Sequence, residues 1–249
     1  MRVGVLSIGY WVWLIWFAWP AMGWTEEVRL QARALLAAQR ETILSSRMVG
    51  RVEKLAVKEG DTIRQGQMLV NMDCAIHEAR QAKVEAELKA SRIKLEVQKR
   101  LEKLQSGSAQ EVGLSAAEVQ KMEAELAEMR ATVAMCVIHA PFSGRVTAIK
   151  VGLQQSVAQG VPLVEILDDT SLEVRLIVPS KWLSWLRVDA PFTLHIDETG
   201  QEYPAKVVRI GARIDPASQS LSVTGVIAGK QEGVMAGMSG TALFVGVGP

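Results

Sequence analysis

Gly50-Arg51-Val52-Glu53-Lys54-Leu55-Ala56-Val57 returns 94 residues later as Gly144-Arg145-Val146-Thr147-Ala148-Ile149-Lys150-Val151. The match continues without a gap: Thr62-Ile63-Arg64-Gln65-Gly66-Gln67-Met68-Leu69-Val70 meets Ser156-Val157-Ala158-Gln159-Gly160-Val161-Pro162-Leu163-Val164. Over positions 50–73, eight residues are identical to their partners. Apolar and polar residues alternate within each copy, and glycines sit at the corners. That is the period of short, half-buried strands joined by tight turns. Self-similarity at a fixed offset marks one structural unit used twice.

Between the copies the period changes. Residues 74–104 contain no Gly or Pro, and apolar side chains recur at Ala75, Ala79, Ala82, Ala86, Ala90, Ile93, Val97, Leu101 and Leu104. Steps of three and four with Lys, Arg, Glu and Gln elsewhere predict a long amphipathic helix with this stripe turned inward. Gln105-Ser106-Gly107 ends it. Ser108-Ala109-Gln110-Glu111 then has the form of a capping box, in which Ser and Glu side chains satisfy the first orphan N–H groups. Val112, Ser115, Val119, Met122, Leu126, Met129, Val133 and Cys136 follow at the same spacing. Ser115-Ala116-Ala117-Glu118 is an alternative start, but Ser108 gives two helices of matched length. Two helices of about 30 residues with a tight reversal make an antiparallel coiled-coil hairpin about 45 Å long.

After Asp169 the strand period resumes at 172–178, 192–196, 203–210, 219–227 and 241–245, with Gly, Pro and Asp turns between. A small antiparallel barrel follows, and residues 28–36 alternate in the same way and fit as its opening strand. A short helical insertion at 180–187 carries Trp182 and Trp185. Those two read as a plug for the barrel mouth, with an exposed partner patch as the alternative. The fold class is mostly β with an inserted α-helical coiled-coil hairpin.

Composition narrows the function. In 249 residues, 49% apolar content excludes a disordered chain, and 28 basic against 27 acidic residues leave no basic excess for nucleic acid. Two cysteines and three histidines exclude a disulfide scaffold or a zinc ribbon. Arg2 precedes 17 uncharged residues, then Pro20 and Ala21-Met22-Gly23. That is the form of a signal peptide over 1–23, cleaved before Trp24; an uncleaved inner-membrane anchor is the alternative. Either places the remainder outside the cytoplasm. No later stretch is long and apolar enough to span a bilayer, so the mature part is expected to be soluble.

Three segments, taken together, resemble the periplasmic adaptors, or membrane fusion proteins, of RND-type tripartite efflux and type I secretion systems. They are Gly50-Arg51-Val52…Glu59-Gly60-Asp61…Gly66-Gln67…Leu69, then Ile138-His139-Ala140-Pro141-Phe142-Ser143-Gly144-Arg145-Val146, and Ala236-Gly237-Met238-Ser239-Gly240. The resemblance implies a split lipoyl-like (biotinyl-like) domain with halves at 43–73 and 137–169. It places the hairpin at 74–136 and the antiparallel β-barrel at 26–42 and 170–245. It implies a non-enzymatic role, linking an inner-membrane transporter of RND type to an outer-membrane channel in transmembrane efflux, with self-association around the transporter. A type I/ABC secretion adaptor, a lipoyl/biotinyl-type carrier and a periplasmic metal-binding accessory protein are the alternatives. Carriers expose a modified lysine where the hairpin is inserted; Asn71-Met72-Asp73-Cys74 has none.

Many adaptors carry at the hairpin tip an Arg, a Leu four residues later and a Ser seven after that. Arg100 and Leu104 match, while position 111 is Glu, with serines at 108 and 115. The candidate tip contacts with a partner are therefore Arg100, Leu104, Ser108 and Glu111. The chain stops at Pro249, so a membrane-proximal domain is expected to be missing or reduced, leaving transporter contact to the barrel and N-terminus. The connections at 37–42 and 168–171 are expected to act as hinges.

Cys74-Ala75-Ile76-His77 and Cys136-Val137-Ile138-His139 stand at the two ends of the hairpin. An antiparallel hairpin brings its ends together, and in an oxidising compartment Cys74 and Cys136 are a candidate disulfide. Free buried thiols and a Cys₂His₂ metal site are the alternatives. Catalysis finds no support, and no cofactor is expected. Ser143 lacks a G-x-S-x-G setting. Asp168-Asp169 and Asp197-Glu198 flank strand ends as turn residues, and Gly233, Gly237 and Gly240 read as turn glycines without a following helix. The ten methionines read as packing.

Overall fold

A computed structural model describes Gly4, residues 29–229 and residues 233–245. The signal segment at 1–23, the cleavage point at Trp24 and the first residue of the opening strand, Val28, lie outside the described residues. Five strands come first: β1 (Arg29–Ala38), β2 (Glu41–Ser45), β3 (Gly50–Leu55), β4 (Thr62–Ile63) and β5 (Met68–Met72). The helices α1 (Ala75–Lys103) and α2 (Ala109–Ala134) interrupt them. Next come β6 (Val137–His139), β7 (Gly144–Ile149), β8 (Ser156–Val157) and β9 (Pro162–Leu167). The last five are β10 (Leu172–Pro179), β11 (Pro191–Ile196), β12 (Glu202–Asp215), β13 (Ser220–Ile227) and β14 (Ser239–Val245).

The two repeat copies do not fold side by side; they exchange strands. One sheet has the order β2-β9-β7-β4 and the other β6-β5-β3-β8. Each therefore takes two strands from one copy and a two-residue strand from the other. The exchange is symmetric to the residue: Ile63 lies opposite Gly144 and Val157 opposite Gly50. Val52 N–H donates to the Gln155 carbonyl at 2.9 Å, and its repeat equivalent Val146 donates to Asp61 at 3.0 Å. Alternation then sends matching side chains into one core. Val52 and Val146, Leu69 and Leu163, Val70 and Val164, and Met72 and Ile166 are all buried there. Gly144 is required where it stands, because a Cβ would collide with the Leu167 carbonyl oxygen.

The hairpin forms as its capping signals direct, but α1 turns a different face inward. Its buried residues are Val84 and Leu88, with Leu95 partly buried, against Ser115, Val119, Met122, Leu126 and Met129 of α2. Completing that seam at steps of four and three are His77, Gln81, Ser91 and Gln98, all half-buried. The stripe expected to face inward, Ala75 to Leu104, instead faces outward along its length. Four polar seam residues hid the inner face from a reading based on hydropathy. Of the α2 residues expected in the seam, Ser115, Val119, Met122, Leu126 and Met129 lie there, whereas Val133 and Cys136 pack into the sandwich core and Val112 stands outside both.

The barrel closes in the order β1-β10-β13-β12-β11-β14. Its core holds Leu36, Val174, Leu194, Val223 and Phe244. The insertion after β10 is a single 3₁₀ turn, Ser180–Ser184. Trp182 is buried against Phe244, ring centroids 5.4 Å apart, and Trp185 packs on the same ring at 5.8 Å. They plug the barrel and form no exposed patch. β12 runs to Asp215, past the expected end at 210, and absorbs its extra length in two irregularities against β13. Gly240 is a strand residue of β14, not a turn glycine: a Cβ there would meet the His195 carbonyl oxygen.

Barrel and sandwich are joined by two connections that bond to each other. Gln39 N–H donates to Ser171 at 3.0 Å and Asp168 N–H to Arg40 at 2.8 Å. The Arg40 guanidinium, 4.9 Å over the Phe142 ring, donates to the Asp168 carboxylate through Nε at 3.0 Å and Nη2 at 2.6 Å. The Asp168 side chain is only 1% exposed. Burial pushes its carboxyl up, but hydrogen bonds from Thr170 and Arg40 outweigh that and hold it below the usual carboxylate range. The expected hinge is thus a braced pair of strands' ends.

The repeat exposes one local mismatch. Gly60 has φ +87, and its equivalent in the second copy, Gln154, adopts φ 63 without being glycine. A left-handed conformation is costly for a side chain with a Cβ. Gln154→Gly is expected to raise stability by about 0.5–1 kcal/mol, read as a higher urea midpoint with unchanged slope; a lower midpoint contradicts it.

Candidate functional site: the hairpin, its root and its tip

The root is built from the sandwich outward. β5 and β6 pair as antiparallel neighbours, Asn71 opposite Val137, so the two helices leave from adjacent strand ends. Met72 N–H donates to Cys136 and Asp73 N–H to Arg51, both at 2.8 Å. Arg51 returns an ion pair to Asp73 at 2.9 Å. Arg47 donates to the Ala134 carbonyl at 3.2 Å, supplying a cation at the negative end of α2. Cys74 is the N-cap of α1 and Cys136 follows the C-cap of α2. Their Cα atoms are 6.0 Å apart and their sulfurs in bonding contact, within the span a disulfide bridges.

His77 lies on the first turn of α1, half-buried, its Nδ1 without a hydrogen-bond partner. His139 is exposed at the end of β6. Among the described residues, no three His, Cys, Asp or Glu side chains gather as metal ligands would. The carboxylate pairs at strand ends have other partners. Asp197 accepts from Arg33 at 3.0 Å, and Glu198 accepts from the Ser239 amide at 2.9 Å. The Ser239 amide is the main reason the Glu198 carboxyl sits below its usual range. Asp169 pairs with Arg145 at 3.2 Å. Ser143 accepts the Gln65 amide.

The tip reverses the chain in five residues. Gln105 takes φ 58, and the amides of Leu104, Gln105 and Ser106 donate back to Arg100, Glu102 and Leu101, closing the last turn of α1. Ser108 and Glu111 form the reciprocal capping box, Glu111 N–H to Ser108 Oγ at 3.2 Å and Ser108 N–H to the Glu111 carboxylate at 3.4 Å. The four candidate tip residues therefore divide by role. Ser108 and Glu111 build the reversal, whereas Arg100 and Leu104 stand out from it, Leu104 67% exposed. Sequence reading found the α1 stripe that ends at Leu104 but turned it inward; what it missed was the inner row, where polar His77, Gln81, Ser91 and Gln98 alternate with Val84, Leu88 and Leu95.

With this geometry in hand, comparisons with known proteins are specific. The family model described as RND MFP, barrel-sandwich hybrid domain matches residues 40–168. An uncharacterised protein of Haemophilus influenzae is 23% identical over 201 residues, covering 80% of this chain and 52% of that protein. The chain thus spans about half the length of the curated relative it matches. A chimera of MacA and MexA, containing the α-hairpin domain of Pseudomonas aeruginosa MexA, superposes with a TM-score of 0.80 at 18% identity, over 88% of this chain and 81% of that one. The membrane fusion protein Spr0693 of Streptococcus pneumoniae gives 0.75 at 14% identity, over 88% and 100%. At such identities the likeness to these structures is one of fold.

A bond between Cys74 and Cys136 closes 62 residues of chain and contributes about 4 kcal/mol on the loop-entropy argument. Unreduced, denatured protein is expected to take up no thiol reagent; two equivalents consumed per chain contradicts the bond.

Proposed function

Because the chain belongs to the membrane fusion protein family, we propose that it works as a periplasmic adaptor. It would couple an inner-membrane exporter to an outer-membrane exit route, several copies gathering around the transporter. The observation that carries this is the match over residues 40–168 to a sandwich whose two halves clasp the root of a long hairpin. An exporter of RND type is the specific partner proposed, since that is the class the matching family model names. The family consists of non-enzymatic adaptors, and the candidate groups Asp168, Asp169, Asp197, Glu198 and Ser143 are engaged in hydrogen bonds and ion pairs. Among the described residues no helix is long and apolar enough to cross a membrane. We propose that residues 1–23 direct export and that Cys74 and Cys136 are bonded in the exported protein.

The chemistry of such a role is mechanical. Two sheets sharing one core resist shear, because sliding one would strip matching apolar side chains from the other. A force applied at the barrel passes through the braced connections, then the sandwich, then the disulfide-closed root, to a tip about 40 Å away along α1. Arg100 and Leu104 are the tip groups available to a partner, a cation beside an apolar knob.

Leu104→Asp tests this. Leu104 is largely exposed and lies outside the buried helix–helix cluster, so stability should change by no more than about 0.5 kcal/mol. Export in cells lacking the native copy should nevertheless be lost. A folded Leu104→Asp protein with full export rules out docking through the tip.

A further inference from the structure

The two ends of the barrel differ in charge. β1 starts at Arg29 and leaves for the sandwich after Ala38, so the strand ends at Pro179, Pro191, Asp215, Ser220 and Val245 all lie at the end away from the sandwich. Two connections close that end, residues 180–190 after β10 and residues 216–219 after β12. They form one surface with the end of β12: Ser180 N–H donates to Gln219 and Asp189 N–H to Val207, both at 2.8 Å. Residues 180–190 and 206–219 together hold five basic and two acidic side chains. The 197–201 connection at the sandwich end holds two acidic and no basic ones.

The acidic groups at the far end are engaged. Asp189 pairs with Lys206 at 2.9 Å, and Asp215 accepts from the Ser218 amide at 2.8 Å and hydroxyl at 3.0 Å. The cations are freer. Arg187 donates only to the carbonyls of Leu183, Ser184 and Leu186 in its own connection, so its charge is not neutralised. Lys181 and Arg213 form no ion pair among the described residues. Between these cations stand exposed apolar side chains, Leu183 39%, Ile214 45% and Val188 53% exposed.

We infer that the end of the barrel opposite the sandwich docks on an anionic phospholipid surface through Lys181, Arg187 and Arg213, with Leu183, Val188 and Ile214 entering between the headgroups. Cations interleaved with apolar groups suit a headgroup plane, where the charges meet phosphate and the apolar groups reach the acyl boundary. The whole chain carries a net charge of only +1, so the attraction is local to this end. A bilayer is favoured over a protein partner by the course of the chain itself. Residues 3–19 are uncharged, and β1 begins nine residues after them at this same end. During export this end of the barrel is the part held nearest the bilayer, whether or not residues 1–23 are then removed. The inference needs the adaptor reading only to place this end at the inner membrane. Vesicle binding is read without export, so either can fail alone.

The exported full-length chain is to be sedimented with vesicles of phosphatidylcholine alone, or of an equal mixture with phosphatidylglycerol. The expected result is binding only to the mixture, weakened by salt. Each basic side chain near such a surface raises binding about fivefold. Lys181→Glu with Arg213→Glu, which breaks no ion pair, should therefore bind about a hundredfold more weakly at an unchanged thermal midpoint. Lys89→Glu with Lys94→Glu makes the same charge change on exposed positions of α1 and should bind like the unaltered chain. Equal binding to both vesicles would assign the attachment to residues 1–28 and overturn the inference. So would no binding to either, full binding by the Lys181/Arg213 variant, or an equal loss in the Lys89/Lys94 variant. Should the Lys181/Arg213 variant unfold, the lipid and salt dependence of the unaltered chain decides alone. Phosphatidylglycerol-dependent binding by a chain that supports no export would sustain the docking and defeat the adaptor role.

Discussion

Neither repeat copy can complete a sheet without the other, and that exchange is the constraint on which the rest of the molecule depends. β4 and β8 are two residues each, far too short to be stable alone. They hold because Ile63 and Val157 are locked into the common core from opposite sides. Closing this arrangement requires distant residues to pair, Ile63 with Gly144 and Gly50 with Val157, which costs chain entropy. The hairpin reduces that cost. Its contacts are local along the chain, and once paired it brings Asp73 and Val137 together.

The same symmetry decides where the other parts attach. Adding 94 to the position of Asp73 gives Leu167, the last residue of β9, so hairpin and barrel leave the sandwich at equivalent places in the two copies. β5 and β6 carry the hairpin; β9 and β2 carry the barrel. Both junctions are braced by an arginine and an aspartate. Arg51 and Arg145, themselves a repeat pair, bind Asp73 and Asp169, while Arg40 holds the buried Asp168. One duplicated unit thus supplies two similar sockets, and different insertions fill them.

Much of this was legible in the sequence, because identity at a fixed offset needs no propensity to detect. The helix ends were legible too, since the Ser108–Glu111 box and the Gln105-Ser106-Gly107 break are local chemistry. The face of α1 was not. Its seam holds His77, Gln81, Ser91 and Gln98, and α2 buries Ser115, so the buried side is the less apolar one by composition. Only the partner helix defines which side is inside. The barrel strands themselves followed the alternation, but the length of β12 and the place of Gly240 depend on close backbone contacts with β13 and β11 that a single sequence does not display.

Amide hydrogen exchange reads the interlock directly. Four of the amides that bridge the two copies form symmetric pairs: Val52 to Gln155, Gln154 to Val52, Val146 to Asp61, and Gly60 to Val146. If the exchanged sandwich is one cooperative unit, all four should exchange only with its global opening, at a common protection level. Protection of the Val52 and Gln154 amides that survives while Val146 and Gly60 exchange freely would mean that the copies open separately. The hairpin and barrel would then hang on two loosely joined halves, and force could not pass between them.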